Sequence, residues 1–194
     1  MNYTIWDGIF FVGFAVYICI RGHFEKRTKQ NIVATSAGSS SDLCLFILVM
    51  IGCMLLPAIY LVSPFLNFAN YKLPTIVPFF GTAVMTLALW LFWRSHADLG
   101  LNWSVKIELR QQHNLVTHGV YKRIRHPMYT AIFLVGVAQA MLIENWLAGW
   151  SALVSFGIMY LVRTPREERM MLQHFGDEYR AYMQRTGRLL PRFF

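Results

Sequence analysis

The sequence predicts an all-α integral membrane protein built on five transmembrane helices, and three observations predict it. First, 56% of the 194 residues are hydrophobic and 14% are charged, which leaves too little polar sequence to coat five apolar helices for water. Second, the apolar residues gather into five stretches, at 5–20, 43–66, 75–93, 127–143 and 146–162. Each approaches the roughly 20 residues, at about 1.5 Å rise apiece, that cross a hydrocarbon core. Third, of the 18 Lys and Arg residues, four fall in 21–42, six in 94–126 and seven in 163–194, and Lys72 stands alone between the second and third stretches. Five crossings put the three basic segments on one face. The positive-inside rule makes that face cytoplasmic, with the N-terminus outside and the C-terminus inside.

The first stretch lacks a basic leader and a small-residue cleavage site, so it reads as a retained helix and not a signal peptide. Residues 36–41, Ser-Ala-Gly-Ser-Ser-Ser, read as a flexible linker, with Ser41 or Asp42 placed to cap the second helix. Pro57 and Pro64 predict bends in the second stretch, while Pro74 and Pro78 suit the start of the third. The first, fourth and fifth stretches are short, and flanking Tyr, Trp, Asn or Arg can extend them to the interface. Only Glu144 and Asn145 separate the fourth from the fifth, which predicts a tight helical hairpin.

Between helices three and four, Val105-Lys106-Ile107-Glu108-Leu109 alternates apolar and polar residues and predicts a short strand. Gly119 permits a turn ahead of Tyr121. An extended Asn114–Val116 backbone offers main-chain donors and acceptors to a polar ligand, although a plain solvated loop has the same composition. Pro127 suits the first turn of helix four, which places His126 at the cap, against the positive end of the helix dipole where an anion is favoured. Arg163-Thr164-Pro165-Arg166-Glu167-Glu168 follows helix five and returns to the same face. Arg163 there reads as a side chain reaching to the interface or the helix end, and the two carboxylates either pair locally or meet a cationic ligand. Beyond them Leu172, Phe175, Tyr179, Tyr182 and Met183 form an apolar stripe at helical spacing, broken near Gly176. That stripe predicts an amphipathic helix at the interface or against the loop. The chain is therefore one membrane domain over 1–194, with three N-terminal helices in 1–93 and its chemistry in 94–194.

Several classes are excluded. No HExxH or CxxC pattern exists, and Cys19, Cys44 and Cys53 lie in apolar stretches as inert thiols, so no metal is expected. GxGxxG, GxxxxGK[ST] and GxSxG patterns are missing too. The basic segments flank membrane helices and suit anionic lipid head groups, with no need for a nucleic acid.

Gly119-Val120-Tyr121, Arg125-His126-Pro127-Met128-Tyr129, Glu167-Glu168, Phe175-Gly176-Asp177-Glu178-Tyr179 with Tyr182, and Leu189-Leu190-Pro191 together resemble the isoprenylcysteine carboxyl methyltransferase family and its phospholipid methyltransferase relatives. The likeness covers about residues 94–194, and the first two helices carry no diagnostic motif. It implies a cytoplasmic S-adenosylmethionine site formed by the loop before helix four, the start of that helix and the segment after helix five. Residue by residue, His113, Asn114, Leu115 and Val116, then Tyr121, resemble the cofactor loop. Lys106 stands where the family commonly has an uncharged polar residue. His126, Pro127, Met128 and Tyr129 resemble the second contact and Glu167 the third, with His126 suited to the cofactor's carboxylate and Glu167 to its ammonium.

Arg163 resembles the substrate-site arginine, positioning an acceptor carboxylate. The implied reaction is methyl transfer from S-adenosylmethionine to the C-terminal carboxylate of an isoprenylated cysteine, on a protein or a small molecule, in contact with membrane lipids. A phospholipid or other lipophilic acceptor is the alternative, and an amine would require a base such as Glu168. A nicotinamide-dependent relative of sterol reductases and a non-catalytic lipid-binding scaffold are the remaining readings.

Overall fold

The computed structural model describes residues 4–28, 33–36, 40–100, 108–110 and 114–192. Helix α1 (Ile5–Thr28) begins with a reciprocal cap. The Thr4 hydroxyl accepts from the Asp7 N–H, while the Asp7 carboxylate accepts from the Thr4 N–H and hydroxyl at 2.8 and 2.9 Å. Helices α2 (Ser40–Met50) and α3 (Leu56–Val62) are joined without a break by a π-helical turn, Ile51–Leu55. Then come α4 (Val77–Leu99), α5 (Pro127–Leu142), α6 (Trp146–Phe175) and α7 (Asp177–Arg185). Four helical runs, Ile5–Arg27, Asp42–Val62, Val77–Leu99 and Trp146–Phe175, are long and apolar enough to cross a membrane. The apolar α5 has 16 residues, about 24 Å at about 1.5 Å per residue, short of the roughly 30 Å core.

The π turn has a local cause. Its Leu56 N–H reaches back to the Ile51 carbonyl, so the next donor in register would come from Pro57, which has none. The Gly52 carbonyl is thereby freed inside the bundle. Gln139 of α5 and Ser151 of α6 donate to it at 3.0 and 2.6 Å, and a Cβ on Gly52 would collide with Ser155 and the Ser151 backbone. Small residues let helices approach, and side chains satisfy the backbone that the proline disrupts. The core runs through Phe10, Met85, Phe92, Ala131, Val135 and Phe156, joining α1, α4, α5 and α6. Ile5, Val12, Phe65, Phe68, Val154 and Leu161 face outward, as lipid contact requires.

The expected hairpin turn is present. Asn145 caps α6 by accepting from the Leu147 and Ala148 N–H groups at 3.1 and 3.0 Å, and its amide donates to Leu66 O and Asn70 Oδ1, both at 2.7 Å.

Two expectations need correction. The last helix does not end near 162; it continues through Pro165 to Phe175, because the Arg163–Glu167 pair bridges the proline and Glu168 is anchored beyond it. Its break falls at Gly176, whose φ of 53° admits α7 as a separate piece. The helical body also carries a small sheet. Val33–Ser36 (β1), with the β-branched Val33 and Thr35, pairs antiparallel with Glu108–Arg110 (β2), so the polar run read as linker starts in a strand; of the strand expected at 105–109, Glu108 and Leu109 are in β2 and 105–107 lie outside the described residues.

Candidate active site

The site is assembled at the end of the bundle where α4, α5 and α6 bring Asp98, His126 and Glu167. Gly119, at φ 58°, starts a 3-10 turn (Gly119–Lys122) pressed so close to Asp98 that a Cβ would collide with its carboxylate. Asp98 accepts from the Val120 N–H at 2.9 Å and pairs with Arg94 at 2.7 Å, tying the turn to the end of α4. Tyr121 is thus held in the interior, donating to Ser95 O at 3.3 Å, while Tyr182 of α7 donates to Tyr121 O at 2.7 Å. Burial raises the pKa of the Tyr182 phenol to about 12 and that of Tyr121 further, so both remain neutral donors. The apolar stripe from Leu172 to Met183 accordingly turns its tyrosines into the protein, with Tyr179 and Tyr182 each 2% exposed.

Pro127 opens α5 and His126 is its cap residue, in the positions the sequence suggests. The imidazole does not face open space. Its Nε2 lies 3.3 Å from Glu168 and its Nδ1 3.8 Å from Glu167, and the ring stacks on Tyr129 at 5.4 Å. What remains for an anion at this end is the first-turn backbone N–H of α5, as at any helix start. Glu167 accepts from the Tyr129 hydroxyl and, at 3.0 Å, from Arg163. Arg163 lies well inside α6, so the span-end reading of this residue is replaced by a partly buried ion pair one helical turn long.

Glu168 is the hub of a second network. It accepts from Arg125 at 3.1 Å, His126 at 3.3 Å and Arg188 at 2.7 Å, and its side chain is 5% exposed. Arg125 also donates to Met183 O at 3.1 Å and to Thr186 O. The backbone closes the same seam: Arg125 and His126 N–H groups bond Gly187 O and Arg188 O at 2.8 and 3.0 Å, and the Thr130 hydroxyl bonds Leu189 O at 2.7 Å. Residues 186–189 therefore clasp the start of α5.

One cavity of about 470 Å³ opens among these groups. Its polar end is lined by Asn114, His126, Arg163 and Glu167, and it continues into an apolar depth of Phe14, Val49, Val135 and Phe156. Leu115, Val116, Tyr121, Met128 and Tyr129 also line it. Pro127 starts the helix behind the wall, and Glu168 lies in the network behind it. Lys106 and His113 lie outside the described residues. Arg125, Tyr179, Tyr182 and, from α1, Arg21 line the cavity without having been predicted to. The stripe spacing was a usable signal for the tyrosines, whereas Arg21 looked like any basic residue flanking a membrane helix.

A sequence model of the isoprenylcysteine carboxyl methyltransferase family matches residues 78–173, from the start of α4 to most of α6. Over that stretch, just under half of its length, the chain is similar to this family. Within the isoprenylcysteine carboxyl methyltransferase family, a probable protein-S-isoprenylcysteine O-methyltransferase of Oryza sativa subsp. indica is 33% identical over 87 residues, 45% of this chain and 46% of that one. The Homo sapiens protein-S-isoprenylcysteine O-methyltransferase is 33% identical over 95 residues, 49% of this chain and 34% of that one. The matched part thus spans less than half the length of these relatives. A solved structure of a eukaryotic intramembrane Ras methyltransferase, isoprenylcysteine carboxyl methyltransferase, superposes with a TM-score of 0.53 at 26% identity, over 77% of this chain and 50% of that one. Helices α1 to α3 lie before the family match, so two of the cavity's apolar residues named here, Phe14 and Val49, come from outside it.

Proposed function

We propose that this chain is an S-adenosylmethionine-dependent methyltransferase of the membrane, whose acceptor is the C-terminal carboxylate of an isoprenylated cysteine. The observation that carries the reading is one cavity that joins a charged end to an apolar depth. It matches an acceptor with an ionised head and a hydrocarbon tail beside a polar methyl donor. In this reading α5, prolonged by the extended Ile143–Asn145 turn, makes the fifth crossing, and the charged end faces the cytoplasm, where the basic segments gather.

The residues present fit the methyl donor. Glu167 offers a carboxylate to an ammonium, the first-turn N–H groups of α5 offer donors to a carboxylate, and Asn114–Val116 offer backbone. When bound, S-adenosylmethionine supplies an electrophilic methyl on a sulfonium. The chain's own work is alignment. A carboxylate is already ionised at neutral pH and needs no base, so Arg163 has only to hold it in line, and the apolar walls exclude water. An amine acceptor requires a base, and Glu168 is already engaged by Arg125, His126 and Arg188. That favours the carboxylate. The test is calorimetric binding of the cofactor followed by methyl transfer to a small prenylcysteine and to phosphatidylethanolamine. Transfer to the prenylcysteine alone is expected, and transfer to the lipid amine alone would sink the reading.

A further inference from the structure

Three arginines line the cavity, and they differ in what already occupies them. Arg125 is neutralised by Glu168 and bonded through Nη1 to oxygens of Met183 and Thr186. Arg163 is paired with Glu167 at 3.0 Å. Arg21, on α1, has no carboxylate within salt-bridge distance among the described residues, even though Glu25 lines the same cavity one turn further on. Its guanidinium lies instead over the ring of Phe46 in α2, 5.6 Å from the centroid. A ring face and the hydrogen-bonded hydroxyl of Tyr17 orient a guanidinium but cannot neutralise it, because neither carries a full negative charge. A half-buried cation among apolar helices is costly unless an anion meets it. The wall around it, Phe14, Ile18, Phe46 and Val49, is apolar and suits a hydrocarbon tail.

We propose that Arg21 is a second carboxylate-binding group of the acceptor site, meeting the anionic head of the lipidated acceptor from the α1 side, opposite Arg163. This rests on the function proposed above and adds to it a residue from outside residues 78–173. Arg163 is partly occupied by Glu167, so a lone Arg163 would have to share its donors between protein and substrate. Arg21 supplies a positive charge that no carboxylate among the described residues competes for, and Phe46 and Tyr17 orient its plane. The same charge also suits the carboxylate of the methyl donor, and the experiment separates the two sources.

The test uses the whole chain in phosphatidylcholine nanodiscs, as wild type, Arg21→Gln and Arg21→Lys. Binding is measured for a small S-farnesylcysteine acid, for its uncharged methyl ester, and separately for S-adenosylmethionine. Arg21→Gln is expected to weaken acid binding about tenfold, while ester and cofactor affinities stay within about twofold and Arg21→Lys recovers most of the loss. An unchanged acid-to-ester ratio overturns the proposal. So does an equal loss for acid and ester, which would mark a packing role, and so does a loss confined to the cofactor. A wild-type protein that methylates no prenylcysteine acid brings down the function reading and this inference with it, a result visible before any Arg21 variant is made.

Discussion

Two buried polar networks divide the molecule between them, and they are built from different chemistry. The one around Gln139, Ser151 and Asn145 is neutral, and its side chains bond backbone carbonyls at Gly52, Ala148 and Leu66. The one around Glu168 is ionic and closes over the start of α5 with Arg125, His126 and Arg188. The first answers a problem internal to the helices, a carbonyl released by Pro57 and a hairpin end needing a cap. The second sits directly behind the cavity, and two of its members, Arg125 and His126, reach the cavity surface. Neutral pairs suffice where only backbone has to be satisfied; charges are retained where the network borders a cavity.

Breaking the ionic hub should have the largest effect. Glu168→Ala strands a buried Arg125 and is expected to cost about 3–5 kcal/mol, read as a lowered Tm of the solubilised protein together with weakened cofactor binding. A Tm within a degree of wild type would mean that the network is decoration. Arg163→Ala is expected to reduce turnover about a hundredfold while cofactor affinity stays within about threefold; equal losses in both would erase its separate role. In the neutral network, Gln139→Leu removes the donor to Gly52 and Ala148 and should cost about 1–2 kcal/mol of stability with kcat unchanged. Lost turnover at an intact Tm in that variant would collapse the distinction between the two networks.

Much of the architecture was legible because hydrophobic runs and turn residues act locally. Four of the five apolar stretches are long membrane-length helices, the Glu144-Asn145 hairpin is where it was expected, and Gly119 makes its turn. The errors came where a local rule met a partner. Pro165 reads as a helix end by itself, and it is overruled by ion pairs on either side of it. β1 is four residues whose pairing partner lies more than seventy residues on. At the site, His126-Pro127 and Glu167-Glu168 were visible as motifs, but the occupancy of each charge was not. That Glu168 is consumed by Arg125 and Arg188, and that Arg21 is not consumed by Glu25, depends on segments that meet only in the folded bundle.

The clasp of residues 186–189 on the start of α5 also bears on how the protein is made. Arg125 enters the membrane boundary well before its acceptors at Met183 and Thr186 are synthesised, so during translation this arginine waits unsatisfied beside the emerging α5. Glu168 arrives first and supplies an interim counter-charge; the backbone seam from Gly187 to Leu189 comes last. The backing of Arg125 and His126 in the cavity wall is therefore completed by residues made after α7, and a ribosome stalled before them would leave that part of the wall unbraced.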